Sequence, residues 1–151
     1  SVHLLEAGDI HSRIVVYVLN GIAPDNLGLQ PGRGRSVGEQ LAHVHNVRLM
    51  WLDAASAATE LPAKIGKEQA EDKSLLAAVL VSSGEAIRNL VHHTLEHNGR
   101  IKGFKPHATA FVGYLIAHES HHRAQVIFAL KQAGFPLDKK LLYGMWEWGV
   151  R

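Results

Sequence analysis

Apolar residues recur at spacings of three and four along most of this chain and strict alternation is scarce, so the pattern predicts helices rather than strands. A first helix is expected from about Leu4 to Asn20, with Ile10, Ile14, Val15 and Leu19 on one face. The Gly- and Pro-rich segment 21–35 reads as a loop. Ser36-Val37-Gly38-Glu39 has the form of a capping box, in which the serine hydroxyl accepts from a first-turn N–H and the glutamate reaches back. It opens a second helix, expected to continue through AASAATE and end before Pro62. A third helix is expected from near Ser74 to about His97, with Asn98-Gly99 as its stop. Pro106 suits the first turn of a fourth, which ends at Gly134 with Pro136 just beyond. The tail LLYGMWEWGVR is expected to add one or two helical turns.

Long amphipathic helices without strands predict an all-α, four-helix bundle with a short C-terminal helical tail. The chain of 151 residues matches the usual size of one domain, and residues 1–151 are read as one. The connection from Glu60 to Lys73 is roughly 13 residues, and at about 3.3 Å per residue it is long enough to span a bundle. The second and third helices can then run in the same direction.

The chemistry concentrates in HESHHRAQ, residues 118–125, on the fourth helix. His118 and His122 are one turn apart on the face that carries Phe111, Leu115, Val126 and Ala129. Two imidazoles thus sit where a buried helix would place leucines. A buried polar group needs a partner, and neutral imidazole is the commonest protein metal ligand. The plain alternative is a pair of hydrogen-bonded core histidines. A third metal ligand would come from another helix facing the same core. The second helix offers His43, in line with Val47, Met50 and Ala54, and His45, in line with Leu41, Leu49 and Leu52. Periodicity does not choose between them. His93 and His97 lie at the polar end of the third helix, where exposure and the helix dipole explain them.

HESHH also satisfies H-E-x-x-H, the zinc-protease pattern with glutamate as general base. The following RAQVIFALK lacks the downstream Gly and His of the longer metalloprotease motif, and Glu147, a conceivable distant ligand, lies in the short tail. Glu119 is rotated by about 100° from His118, so a general-base role is not expected of it. His121 is similarly rotated from His122 and is read as exposed or at an interface.

Composition narrows the chemistry. No cysteine is present, which removes thiolate catalysis, disulfides and Cys-type zinc sites and is compatible with a cytoplasmic protein. The formal net charge is +2 with scattered basic residues, so no nucleic-acid partner is expected. No run of about 20 apolar residues is evident, so no membrane span or membrane partner is expected. The N-terminus has no basic segment followed by an apolar one, and no signal peptide is expected.

The segments SVGEQLAHVHNVRLMWL, AHESHHRAQVIFALKQAG and YGMWEWG together resemble the DinB/YfiT superfamily of four-helix-bundle metalloproteins, over most of the chain from Ser36 onward. The typical fourth-helix pattern of that superfamily, His-x-x-x-His-Arg-Gly-Gln, reads here as His118, His122, Arg123, Ala124 and Gln125, with Ala124 in place of glycine. The third ligand of the superfamily lies eight residues before a Trp on the second helix. His43 stands in that relation to Trp51, so the resemblance favours His43 over His45. It also implies an up-down-down-up bundle.

The resemblance thus implies a divalent transition metal, zinc or nickel first and iron or manganese next, on His43, His118 and His122. Three neutral imidazoles leave the metal charge uncompensated, which acidifies bound water or holds a thiolate. The resemblance implies two enzyme classes. One is a transferase that activates a low-molecular-weight thiol (bacillithiol, mycothiol or glutathione). The other is a hydrolase that uses metal-bound hydroxide. A non-catalytic metal-binding stress or interaction protein is the third reading. Asn46 and Tyr114 are candidates to line the pocket with a small-molecule substrate, and Gln125 is a candidate to orient a ligand imidazole. Arg123 is read as a surface or inter-helix salt-bridge residue, and Trp146 and Trp148 as packing or dimer contacts. A homodimer is expected.

Overall fold

The computed structural model describes residues 1–57 and 60–151. Four main helices pack together: α1 (Val2–Asn20), α2 (Val37–Ala54), α3 (Lys73–Glu96) and α4 (Ala108–Gln132), followed by the short α5 (Lys139–Gly144). Two short 3₁₀ turns, Pro24–Asn26 and Lys67–Gln69, interrupt the loops, and Arg100 and His107 form an isolated antiparallel bridge. Each of α1 and α2 packs on both α3 and α4.

The helix ends follow local chemistry. Ser36 Oγ accepts from Glu39 N at 3.2 Å, and Glu39 Oε1 accepts from Ser36 N at 3.1 Å, which completes the expected capping box. Asp72 caps α3 by accepting from Leu75 N. Gly134, at φ 89°, follows the end of α4 in a conformation that favours glycine.

Three sequence expectations need correction. α2 ends at Ala54, not near Pro62. Ser56 adopts φ 56°, and Ala57 N donates back to Leu52 O at 2.9 Å, a left-handed stop that reverses the chain. Of the expected extension, residues 58–59 lie outside the described residues. Pro106 precedes α4 instead of entering its first turn, and His107 is the cap, its Nδ1 accepting from Ala110 N at 3.2 Å. By length and composition alone, α3 is long and apolar enough to cross a membrane. It packs along α1 and α2. The tail helix also starts earlier than expected and stops before Trp146 and Trp148, which are exposed.

Two apolar clusters fill the bundle. One includes Ile14, Leu19, Leu41, Val44, Leu76, Leu80, Val126 and Leu130; the other includes Val91, Ile101, Phe111, Val112 and Leu115. Between them each helix contributes one buried polar side chain: His11, Arg48, Ser83 and Glu119. Arg48 donates to both carboxylate oxygens of Glu119, at 2.9 and 2.6 Å, and to Leu80 O and Ser83 Oγ. His11 Nε2 donates to Glu119 Oε1 at 3.1 Å. This layer ties all four helices together at one level. Contacts between α2 and α4 run in opposite sequence order, with Gln40 meeting His122, Arg48 meeting Glu119 and Trp51 meeting Phe111.

Candidate metal centre

His43 from α2 meets His118 and His122 from α4, and each residue offers a ring nitrogen within 4.8 Å of the others. The ring centroids are 5.4 Å apart for His43–His118, 4.5 Å for His43–His122 and 4.6 Å for His118–His122. The pair on α4 meets because its members lie one turn apart on the same face. His43 faces it because the polar layer fixes α2 against α4, with Arg48 locked to Glu119 five residues further along. His45, which periodicity left equally eligible, is fully buried on another face and bonds Ala63 O through Nε2 at 3.1 Å. It is not in the cluster.

The three rings make no hydrogen bond to one another among the described residues. Their pKa values are all lowered. Burial is the largest cause for each. Arg35 and His118 add to it at His43, and His121 and Arg35 add to it at His118, where Glu119 opposes them. His122 is pushed down to about 4 by burial, the two neighbouring rings, His121 and Arg35. All three imidazoles are therefore neutral near pH 7 and hold lone pairs, the form that ligates a metal. His118 keeps Nδ1 buried with no hydrogen-bond partner among the described residues. The donor set fits a divalent transition metal.

Gln40, buried one turn before His43, orients one of the rings. Its Oε1 accepts from His122 Nδ1 at 2.7 Å, which fixes the tautomer and leaves Nε2 free as a ligand. Gln125, expected in that role, is exposed and bonds His121 Nε2 at 3.2 Å instead. Tyr114 stacks on His118, with centroids 5.9 Å apart, and backs onto Trp51 and Phe104, which in turn pack on Phe111. Asn46 lines a groove beside His43, but both ends of its amide bond the Ile65 backbone, at 3.0 and 2.9 Å. Its amide anchors the 63–66 segment along α2.

His121 is exposed, and His93 and His97 stack on each other at 4.0 Å at the exposed end of α3. Arg123 is half-buried and makes no ion pair among the described residues, contrary to the expected bridge. Glu119, the glutamate of the zinc-protease pattern, is fully committed to Arg48 and His11. Burial alone would raise its pKa, but the Arg48 charge and hydrogen bonds, with His11, hold it at about 2. Sequence reasoning missed Arg35, and also Gln40, Arg48 and His11, whose partners lie on other helices far away in sequence.

An open groove of about 540 Å³ runs beside His43, between α2 and the 64–70 segment. A more enclosed cavity of about 40 Å³ lies between α1, α3 and α4 over the buried polar layer, and none of the clustered histidines lines it.

A helical bundle that joins three neutral histidines from two helices at the edge of a groove defines a candidate bundle metalloprotein. The chain belongs to the DinB family, whose family model matches residues 2–139. No curated protein and no solved structure matches it significantly.

Proposed function

We propose that His43, His118 and His122 bind a divalent transition metal, zinc or nickel before iron or manganese, and that the centre serves a thiol-dependent S-transferase. The convergence of three neutral imidazoles beside an open groove carries this reading. Such an ion, when bound, keeps its positive charge and lowers the pKa of a thiol or water that joins it. Gln40 holds the His122 ring in its ligating tautomer. Arg35, near all three rings, adds positive potential that favours an anionic thiolate. The open groove admits an electrophile next to His43.

The commitment of Glu119 favours a transferase over a protease-like hydrolase. Water activation of that type relies on a carboxylate base at the metal, and Glu119 is bound to Arg48 and His11. Glu39, which lines the groove, is engaged in the capping box. Thiol activation needs no such base once the thiol is ionised. The chain is further proposed to form a homodimer through its exposed aromatic residues, Phe128, Phe135, Tyr143 and Trp146.

The test is thiol consumption by zinc- or nickel-loaded protein with bacillithiol, mycothiol or glutathione and 1-chloro-2,4-dinitrobenzene. Turnover that disappears in His122→Ala is expected. No turnover with any of these thiols, or ester hydrolysis without a thiol, contradicts the transferase reading.

A further inference from the structure

The groove beside His43 has a distinctive charge pattern. Arg35, Lys64 and Lys67 line it against a single lining carboxylate, Glu39. Glu39 Oε1 already accepts from Ser36 N. Arg35, Lys64 and Lys67 are exposed and form no ion pair among the described residues. Glu68 turns back over Gly66 and is not part of the lining. Between the cations, Ala42, Val47 and the half-exposed Met50 form an apolar wall.

The backbone that carries these cations is held in place. Arg35 immediately precedes the Ser36 cap of α2. A side chain at Gly38 would collide with the Ala70 carbonyl, so glycine lets the start of α2 touch the far end of the 64–70 segment. The other end is stapled by His45 to Ala63 and by Asn46 to Ile65. The groove therefore has two fixed walls, with basic side chains on both, and His43 lies between them. Arg35 also lines the neighbouring surface with Gln40 and His121, so it stands where the two openings meet beside the histidines. A cation close to three neutral imidazoles opposes a bound metal unless an anion sits between them.

We propose that this groove is the substrate site and selects a small dianionic molecule with an aliphatic spacer, such as a dicarboxylate. One acid group lies between Arg35 and the three histidines, the other on Lys64 and Lys67, and the spacer lies against Val47 and Met50. This rests on the metal reading above for the position of the first acid group. Arginine is suited to pair with a carboxylate through two parallel hydrogen bonds, and the lysines supply compact charges.

The experiment is calorimetric titration of glutarate and of its neutral diamide into zinc-loaded and metal-free protein, at constant ionic strength, with zinc content measured on the same samples. Glutarate is expected to bind wild type at least tenfold more tightly than the diamide. Arg35→Gln and the double variant Lys64→Gln/Lys67→Gln lose at least tenfold, and Lys139→Gln, on α5, loses nothing. Zinc content stays the same in all of them. Equal affinity for acid and diamide, or undiminished glutarate binding by Arg35→Gln, overturns the proposal even where zinc is bound. If no zinc is taken up but the acid preference and its Arg35 dependence persist, the groove stands and the metal reading fails.

Discussion

Replacing Glu119 by leucine strands the Arg48 guanidinium inside the bundle. Arg48 is 2% exposed, and three of its nitrogens are committed within the polar layer. The fall of the Glu119 pKa from an ordinary 4.5 to about 2 corresponds to about 3 kcal/mol of preference for the paired, charged form. Removing one partner of a buried ion pair costs about 3–5 kcal/mol on general grounds, because the other charge is left uncompensated. The two routes agree. A loss of this size is a large part of the roughly 5–15 kcal/mol that holds a domain together. The double variant Arg48→Met/Glu119→Leu removes both charges and fills the space with apolar atoms, so it is expected within about 1 kcal/mol of wild type, or above it. Urea denaturation measures both. At a slope of about 1–3 kcal/mol/M, the single variant shifts its midpoint by about 1–5 M. The double variant is expected to fold yet bind metal more weakly, because the pair sets the register that brings His43 to His118 and His122. A single-variant cost below about 1 kcal/mol, or a double variant as unstable as the single, would refute the reasoning.

Other consequences follow from the same contacts. Gln40→Leu should weaken metal affinity by about 10–100-fold through loss of the His122 tautomer, whereas Gln125→Leu should leave it unchanged; competition with a chromogenic chelator separates the two. In metal-free protein the lowered pKa values of His43, His118 and His122 mean that unfolding takes up protons as pH falls from 6.5 towards about 4, and Glu119 adds further uptake below 4.5. Stability therefore declines with falling pH through both windows, and a flat profile from pH 7 to 4 in chemical denaturation would contradict the assignments. Gly38→Ala forces the start of α2 away from Ala70 and should lower the melting temperature, as read by circular dichroism. Light scattering on a sizing column is expected to give twice the 16.6 kDa chain mass, and a monomer at all concentrations would remove the dimer proposal.

What could be read from the sequence was local. The 3.6-residue period, the Ser36–Glu39 capping box and the four-residue spacing of His118 and His122 all depend on near neighbours along one helix. The end of α2 was misplaced because an alanine-rich run favours helix by propensity, while Ser56 and the return of the chain along α2 end it at Ala54. The choice between His43 and His45 also lay beyond periodicity. Both helix faces are apolar, and only the docking of α2 sends His45 into the core and His43 to the groove. Gln40 and Gln125 show the same limit. Each lies within one turn of a clustered histidine, but the partner of His122 is decided by which helix faces the ring. Cross-helix pairs such as Arg48–Glu119 and His11–Glu119 join residues far apart in sequence, so neither helix alone announces them.

The central claim is that three particular histidines among the eleven hold a metal. Elemental analysis of purified protein, together with single alanine variants of five histidines, tests it directly. The account predicts about one transition-metal ion per chain, lost from His43→Ala, His118→Ala and His122→Ala and retained in His45→Ala and His121→Ala. Absence of metal from wild type after loading, or equal loss in His45→Ala or His121→Ala, would contradict it.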